Sequence, residues 1–304
     1  AYDDADALAR FGGSVDIATY EFENIAAGAL GALAERAPLY PPRAALEIAQ
    51  DRVSEKQFVR DLGGRPAPFA AVADRADLDR ALDEIGAPAI LKTRRFGYDG
   101  KGQARIMASG DANDAWDSLH GADAVLEGFI AFDDEFSVIL CRSADGDIAT
   151  WEAPRNVHRD GVLDTSTVPA PAHLAATIDE AKALAHAVAD ALDYVGVLTL
   201  EFFAGADGPV FNEMAPRVHN SGHWTIEGAL TSQFENHIRA ICGLPLGSTA
   251  RTAPEVRMRN LIGSDADDWQ GILADRSAHL HLYGKDAARA GRKMGHVTRL
   301  IGTR

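Results

Sequence analysis

The sequence predicts a mixed α/β and α+β architecture: a partial doubly wound unit at the N-terminus, a larger centre and a small β-rich segment at the C-terminus. Three observations carry this reading. Short strands alternate with helices through the first part of the chain. Two apolar runs, Val195 to Phe203 and Pro209 to Met214, are joined by a turn-rich pentapeptide, and from about Val256 the chain alternates strands with turns. With 304 residues the chain has room for one large or two to three modest domains. The expected boundaries are 1–43, 44–247 and 248–304.

The elements follow in order. A helix near Asp4 to Phe11, a strand at Val15 to Tyr20 and a helix from Asn24 to Arg36 form the end of an α/β unit closed by Pro38, Pro41 and Pro42. A doubly wound domain normally opens with a strand and a glycine-rich turn, and neither is seen here, so the N-terminal lobe is expected to be incomplete. A helix is predicted from Ala44 to Leu62, ended by Gly63-Gly64, and another from Ala76 to Ile85. Pro88 to Lys92 reads as a strand, and further strands are predicted at Ala124 to Ile130, Glu135 to Cys141 and Asp147 to Thr150. Between His173 and Leu192 the residues Leu174, Ile178, Ala181, Leu184, Val188 and Leu192 recur at helical spacing, marking an amphipathic helix over one face of a sheet. A last long helix is predicted from Ile226 to Ile241.

The formal net charge of −15 argues against a nucleic-acid surface, which needs clustered Lys and Arg. No run of about eighteen apolar residues is present and the N-terminus lacks a signal-peptide profile, so a soluble, cytoplasmic protein without a membrane partner is expected. Cys141 and Cys242 have no CxxC partner or nearby histidine cluster and read as buried core thiols.

Glu201 and Glu213 sit symmetrically about Asp207, the middle of the linking loop, so they should face one another on one side of a hairpin. Opposed carboxylates repel, and either a cation lies between them or they diverge into solvent. The apolar neighbours Leu200 and Phe202 favour burial, and hard oxygen ligands suit magnesium. Lys92 ends an apolar strand, where its ammonium group can meet a phosphate or simply reach water. The glycine loop after it, Gly97 to Gln103, offers unobstructed backbone N–H groups and the charge of Lys101, yet an ordinary surface hairpin explains it as well. It is neither a Walker A loop nor a dinucleotide fingerprint.

Strand lysine, glycine loop and paired-glutamate hairpin, in that order, resemble the ATP-grasp superfamily, in which ATP lies between two α+β lobes and magnesium sits on two acidic positions. Three stretches narrow the resemblance: Thr19-Tyr20-Glu21-Phe22-Glu23-Asn24, Gly97-Tyr98-Asp99-Gly100-Lys101-Gly102-Gln103, and Glu213 to Thr225. They are similar to the N5-carboxyaminoimidazole ribonucleotide synthetases of purine biosynthesis. Tyr283-Gly284-Lys285 followed by Gly291-Arg292-Lys293-Met294-Gly295-His296 resembles that family's C-terminal phosphate-binding segment. The likeness spans essentially the whole chain.

The resemblance implies ATP-dependent carboxylation of 5-aminoimidazole ribonucleotide with bicarbonate by way of carboxyphosphate, giving N5-carboxyaminoimidazole ribonucleotide, ADP and phosphate. It implies ATP and Mg2+ as bound groups, small-molecule substrates as partners, and a homodimer. Position by position, it places Arg52, Lys92 and Gly97, Tyr98, Asp99, Gly100, Lys101, Gly102 and Gln103 at the ATP phosphates. Glu127, Gly128, Phe129 and Ile130 fall at adenine, Glu135 at the ribose, and His158 and Asn212 at further nucleotide contacts. Glu201 and Glu213 become the magnesium ligands. Arg217, His219 and Asn220 fall at bicarbonate and the reacting centre, where His219 either moves a proton or only orients its neighbours. Lys285, Arg292 and Lys293 form the cradle for the ribonucleotide phosphate, with Glu21, Tyr98 and Asp99 at its ribose and base.

Two departures stand out: Phe96 where the family more often has glycine, and Arg155 before Asn156-Val157-His158 where an acidic residue is common. Formate-dependent glycinamide ribonucleotide transformylase is the nearest rival, disfavoured by Asn220 and by His223-Trp224. Biotin carboxylase fits less well in its glycine loop and length. A nucleotide-binding subunit without turnover is disfavoured by the full set of charged site residues.

Overall fold

The computed structural model describes residues 2, 4–97, 102–285, 288–289 and 291–302. A nine-stranded sheet forms the centre, in the order Gly208–Ala215, Gly196–Gly205, Asp134–Arg142, Arg155–Arg159, Val162–Val168, Glu255–Ile262, Lys293–Ile301 and Ala278–Leu282, with Ile148–Thr150 paired to Asp134–Arg142. The last three strands of the chain thus extend the central sheet. Successive side chains of a strand point to opposite faces. Along Asp134–Arg142, Phe136, Val138 and Leu140 enter one core with Ile178, Ala181 and Val188 of the helix Ala175–Ala191, while Ile139 and Cys141 enter a second core with Trp151, Trp224 and Ile241. Burial on both faces is why the run from Val195 reads as almost continuously apolar.

A smaller antiparallel sheet pairs Phe69–Val72, Ala124–Gly128, Ala89–Thr93 and Gln103–Ile106 in that order. The helices Arg75–Ile85 and Ala112–Ser118 close its core through Leu78, Leu82 and Ala115. At the N-terminus, Ala18–Thr19 and Leu39–Tyr40 pair in parallel, and Leu30 and Leu33 of the helix Ala27–Ala34 pack with Ala18, Tyr20 and Leu46.

Two helices expected to be continuous are each broken by a capping side chain. The predicted helix over 44–62 is two, Arg43–Ala49 and Arg52–Asp61, because Asp51 accepts the N–H groups of Val53 and Ser54, each at 3.1 Å. Its carboxylate also pairs with Arg94 at 2.8 Å, which ties the new helix start to the smaller sheet's loop. Likewise the helix predicted over 226–241 is Thr225–Gly228 and Gln233–Ile241, with Ser232 capping the second by accepting from the Glu235 N–H at 3.1 Å. The short strands Phe69–Val72, Gln103–Ile106, Arg155–Arg159 and Val162–Val168 and the helix Trp269–Ala274 are additional to the predicted elements. Cys141 is buried as expected, but Cys242 is exposed, since it is the residue that ends the helix Gln233–Ile241. No helix among the described residues is long and apolar enough to cross a membrane.

The buried His237 gives the fold a pH dependence of known sign. Its Nδ1 accepts the Val197 N–H at 3.1 Å, so its proton lies on Nε2, 2.9 Å from the Thr19 hydroxyl. Burial pushes its pKa from 6.5 down to about 4. Between those values the unfolded chain binds the extra proton, so this stability is complete above pH 6.5 and is lost as pH falls toward 4. At about pH 5 the loss is roughly 2 kcal/mol. Thermal melts should show Tm falling from pH 7 to pH 5, with a shallower fall in His237→Gln; equal slopes in the two proteins would contradict this assignment.

Candidate active site

The hairpin brings Glu201 and Glu213 together by a route the sequence symmetry does not reveal. Its turn is the pair Ala206-Asp207 between Gly205 and Gly208, with Gly208 at φ +112°, a backbone state that L side chains rarely adopt. From that turn Phe202 pairs with Phe211, so an unbroken ladder would set Glu201 opposite Asn212. A bulge at this point inserts Asn212 as an extra residue and restores the pairing of Glu201 with Glu213. The two carboxylates then share one face and line one cavity of about 730 Å³.

The first turn of the helix Arg52–Asp61 surrounds the pair with charge. Arg52 meets the Glu213 carboxylate at 3.1 Å, and Lys92, from the smaller sheet, meets Glu127 at 2.9 Å. Lys56 is wholly buried and reaches Glu127 at 3.3 Å from the other side. Burial raises the Glu127 pKa, but Lys56 and then Lys92 outweigh it and hold the group down at about 2. Burial lowers the Lys92 pKa, which Glu127 only partly offsets. Burial and the Glu213 charge push Glu201 up to about 7, whereas in Glu213 Arg52 and then Lys92 overcome burial and keep the carboxyl below its ordinary value. The oxygen pair is therefore strained by its own charge, an arrangement that a hard divalent cation relieves.

Beyond Glu213 the chain carries Arg217, His219 and Asn220 into the same cavity. Arg217 pairs with Glu23 at 3.0 Å and donates to the Val218 carbonyl at 2.9 Å. The Ser221 N–H donates to His219 Nδ1 at 3.2 Å, so the ring's single proton sits on Nε2, 3.1 Å from Glu201. Burial, followed by the charge of Arg217, holds His219 neutral by lowering its pKa well below the ordinary value. Ser221 continues inward to Ser137 at 2.7 Å, which accepts from Asn156 at 3.1 Å, so the imidazole stands on a buried polar chain. Both amide atoms of Asn220 are buried without a hydrogen-bond partner among the described residues. His158, which also lines the cavity, faces Glu135 at 2.6 Å, and the Glu135 hydrogen bond and the Glu201 charge outweigh burial to raise its pKa.

The cavity thus gathers Arg52, Lys92, Gly97, Gln103, Glu135, His158, Glu201, Asn212, Glu213, Arg217, His219, Asn220 and Lys293 from the expected set. Tyr98, Asp99, Gly100 and Lys101 lie outside the described residues. Gly102 follows them at φ +69° and precedes the strand Gln103–Ile106. Glu21 is exposed and off the cavity wall; Glu23 is the carboxylate that lines it. Glu127 lies behind Lys92 in an ion pair, Gly128 packs near Pro68 and Ile85, and neither Phe129, 43% exposed, nor Ile130 lines the cavity. The apolar wall is instead built by Ile90, Phe132 and Phe203, the two rings stacked at 4.3 Å. Phe203 was accessible to strand periodicity, since it lies two residues after Glu201 and so on the same face. Lys285 and Arg292 sit off the cavity wall, with Lys285 Nζ donating to the Lys293 carbonyl at 2.7 Å and so linking the two ends of that segment. Phe96 stands at φ +65°, a left-handed backbone state that glycine would adopt without steric cost, and Arg155 pairs with Asp134.

A nucleotide-sized cleft between a small antiparallel sheet and a larger one, lined by a strand lysine and an opposed glutamate pair, defines an ATP-grasp protein. The ATP-grasp domain family matches residues 57–234, flanked by matches to the ribonucleotide synthetase preATP-grasp domain over 1–50 and the phosphoribosylaminoimidazole carboxylase C-terminal domain over 257–303. The N5-carboxyaminoimidazole ribonucleotide synthase of Brucella melitensis is 52% identical over 99% of this chain and 83% of its own length; that of Pseudomonas aeruginosa is 44% identical over 98% and 81%. Among solved structures, the Thermus thermophilus synthetase superposes with a TM-score of 0.91 at 47% identity, covering 99% of this chain and 81% of that one. The Aspergillus clavatus synthase in complex with ADP and 5-aminoimidazole ribonucleotide gives 0.92 at 28%, covering 100% and 81%. The chain belongs to the N5-carboxyaminoimidazole ribonucleotide synthase family.

Proposed function

We propose that this site couples ATP cleavage to carboxylation of 5-aminoimidazole ribonucleotide. One observation carries the reading: a single continuous segment delivers Glu213, Arg217, His219 and Asn220, whose amide has no partner among the described residues, into the cavity that Arg52 and Lys92 also line. Cations suited to phosphate and carboxylates suited to a metal therefore line one cavity, with Arg52 already against Glu213 at 3.1 Å.

In this reading a bicarbonate oxygen attacks the γ-phosphorus of ATP and ADP leaves; the amine of the ribonucleotide then takes the carboxyl group and phosphate leaves. Arg52 and Lys92 disperse charge on the transferred phosphoryl, a contribution that in a dry site is worth far more than in water. Lys92 is held at the cavity edge by Glu127, and Lys56 keeps Glu127 neutralised when Lys92 turns toward phosphate. Arg217 presents donors to the planar bicarbonate, and the Asn220 amide completes its hydrogen bonds. His219, neutral with Nε2–H toward Glu201, acts as an orienting donor; its lowered pKa and fixed tautomer argue against a proton carrier at neutral pH. Phe132 and Phe203 offer a stacking surface for a base.

Glu201 and Glu213 fit Mg2+, because two opposed oxygen donors that raise one another's energy suit a hard cation and leave positions for phosphate and water. When bound, the ion would supply Lewis-acid stabilisation of the phosphoryl oxygens. The same reading includes Lys285, Arg292 and Lys293 as the ribonucleotide-phosphate cradle, division of the chain into 1–43, 44–247 and 248–304, and a cytoplasmic homodimer.

Purified protein with ATP, Mg2+, bicarbonate and aminoimidazole ribonucleotide should release ADP. ADP release that responds to formate and glycinamide ribonucleotide instead would overturn the assignment. Lys285→Ala should raise the ribonucleotide KM about tenfold, the worth of one charge-assisted hydrogen bond, with a smaller change in the ATP KM. Equal changes in both would count against the cradle.

A further inference from the structure

The strand Gly208–Ala215 is the edge of the main sheet, and beyond a single bridge of Phe211 to the Arg65–Pro66 backbone its open side meets no strand among the described residues. A bulge worsens this, since it breaks the ladder locally. Two adjacent residues of the helix Arg52–Asp61 meet the exposed groups on either side of Glu213. Lys56 Nζ donates to the Asn212 carbonyl at 2.8 Å, and the Glu55 carboxylate accepts the Met214 N–H at 2.5 Å. One turn earlier, Arg52 holds the Glu213 carboxylate itself. Glu55 and Lys56 are buried to 1% and 0% exposure.

We propose that Glu55 and Lys56 are positioning residues that hold the bulge at Asn212 and so keep the Glu213 carboxylate opposite Glu201. The inference rests on the reading of that pair as a metal site. The positions 52, 55, 56 and 59 form the inward stripe of the helix, where apolar side chains would pack at no electrostatic cost. Burial pushes the Glu55 carboxyl up to about 8, so it sits there more as a polar acid than as an ion, while Lys56 is a buried cation. Burying such groups costs several kcal/mol, and hydrophobic replacements are often as stable or more so. Stability alone thus gives no reason for these two polar side chains, whereas their match to one carbonyl and one N–H flanking a single residue does. If the bulge relaxes into the unbroken register, Asn212 faces Glu201 and Glu213 turns to the other face, because a one-residue slip inverts every side chain beyond it.

The test is Mn2+ binding in the presence of ADP, read by electron paramagnetic resonance of the free ion and therefore independent of turnover. Glu55→Leu and Lys56→Met should each weaken Mn2+ by about 10- to 100-fold, the usual cost of losing a group that orients a ligand. Glu55→Gln keeps an acceptor oxygen for Met214 and should restore binding to within about threefold of the parent. Glu55 makes no contact with Glu127 or Lys92 among its hydrogen bonds, so its series separates the bulge from the lysine pair. Unchanged Mn2+ affinity in Glu55→Leu and Lys56→Met, beside a loss in Glu213→Gln, would overturn the positioning role. Parent-like binding in Glu213→Gln would instead overturn the metal reading. Should Glu55→Leu not fold, Glu55→Met, which removes the acceptor with a more adaptable side chain and leaves the Lys56–Glu127–Lys92 contacts in place, decides between the same outcomes.

Discussion

Replacing Glu213 with Gln is expected to lower turnover by at least about 10³-fold while the fold stays intact. The amide keeps an oxygen to accept from Arg52, which lies 3.1 Å from the native carboxylate, so the packing of the helix on the strand persists. What disappears is the charge. Arg52 and Lys92 hold Glu213 ionised against burial, making it the member of the pair that is charged before any cation arrives. Losing about 4 kcal/mol of charge stabilisation at the transferred phosphoryl corresponds to three decades of rate. Steady-state ADP release, together with an unchanged circular dichroism spectrum, checks this. Activity within tenfold of the parent would remove Glu213 from the chemistry.

Arg217→Met is expected to lower kcat by about 10²- to 10³-fold, the effect of deleting one preorganised donor at a charged transition state. Its guanidinium pairs with Glu23 at 3.0 Å, and burial already raises the Glu23 pKa, so the single change also leaves a half-buried carboxyl without its partner. Arg217→Met combined with Glu23→Gln removes that second effect. If Arg217 acts on bicarbonate, the double variant stays as impaired as the single one, and the bicarbonate KM rises while the ATP KM holds. Recovery in the double variant would reduce Arg217 to a counter-ion for Glu23.

The pairing of Glu201 with Glu213 was legible from equal spacing about Asp207, but for an incomplete reason. The turn is centred between Ala206 and Asp207, and only the extra residue Asn212 brings the two glutamates level. Bulges leave no mark in an alternation count, because they arise from what grips the strand from outside. That grip did leave a trace: in the run Arg52 to Val59, three of the four residues at helical spacing on the buried side are charged. Such a stripe is a poor core and a good clue. Phe203 was within reach by the same face argument as Glu201, whereas Phe132 and Glu23 stand in irregular segments where no periodicity assigns a direction.

The breaks at Asp51 and Ser232 show the same limit from the other side. Both are residues whose short side chains compete for backbone N–H groups, and a count of apolar positions runs through them. At Asp51 the break has a consequence for the site, because the new helix start points Arg52 at Glu213 and ties Asp51 to Arg94 across the cleft. By itself, the sequence determined the mixed architecture, the order of strand lysine, glycine loop and glutamate hairpin, and the cluster from Glu213 to Asn220, since these depend on spacing along one stretch of chain. Only the tertiary structure decided that Glu23 rather than Glu21 reaches the cavity, that Lys56 and Lys92 share Glu127, and that Glu55 and Lys56 grip the strand around Glu213. Each of these joins residues distant in sequence, and such contacts are set by the packing of whole elements, which local pattern does not encode.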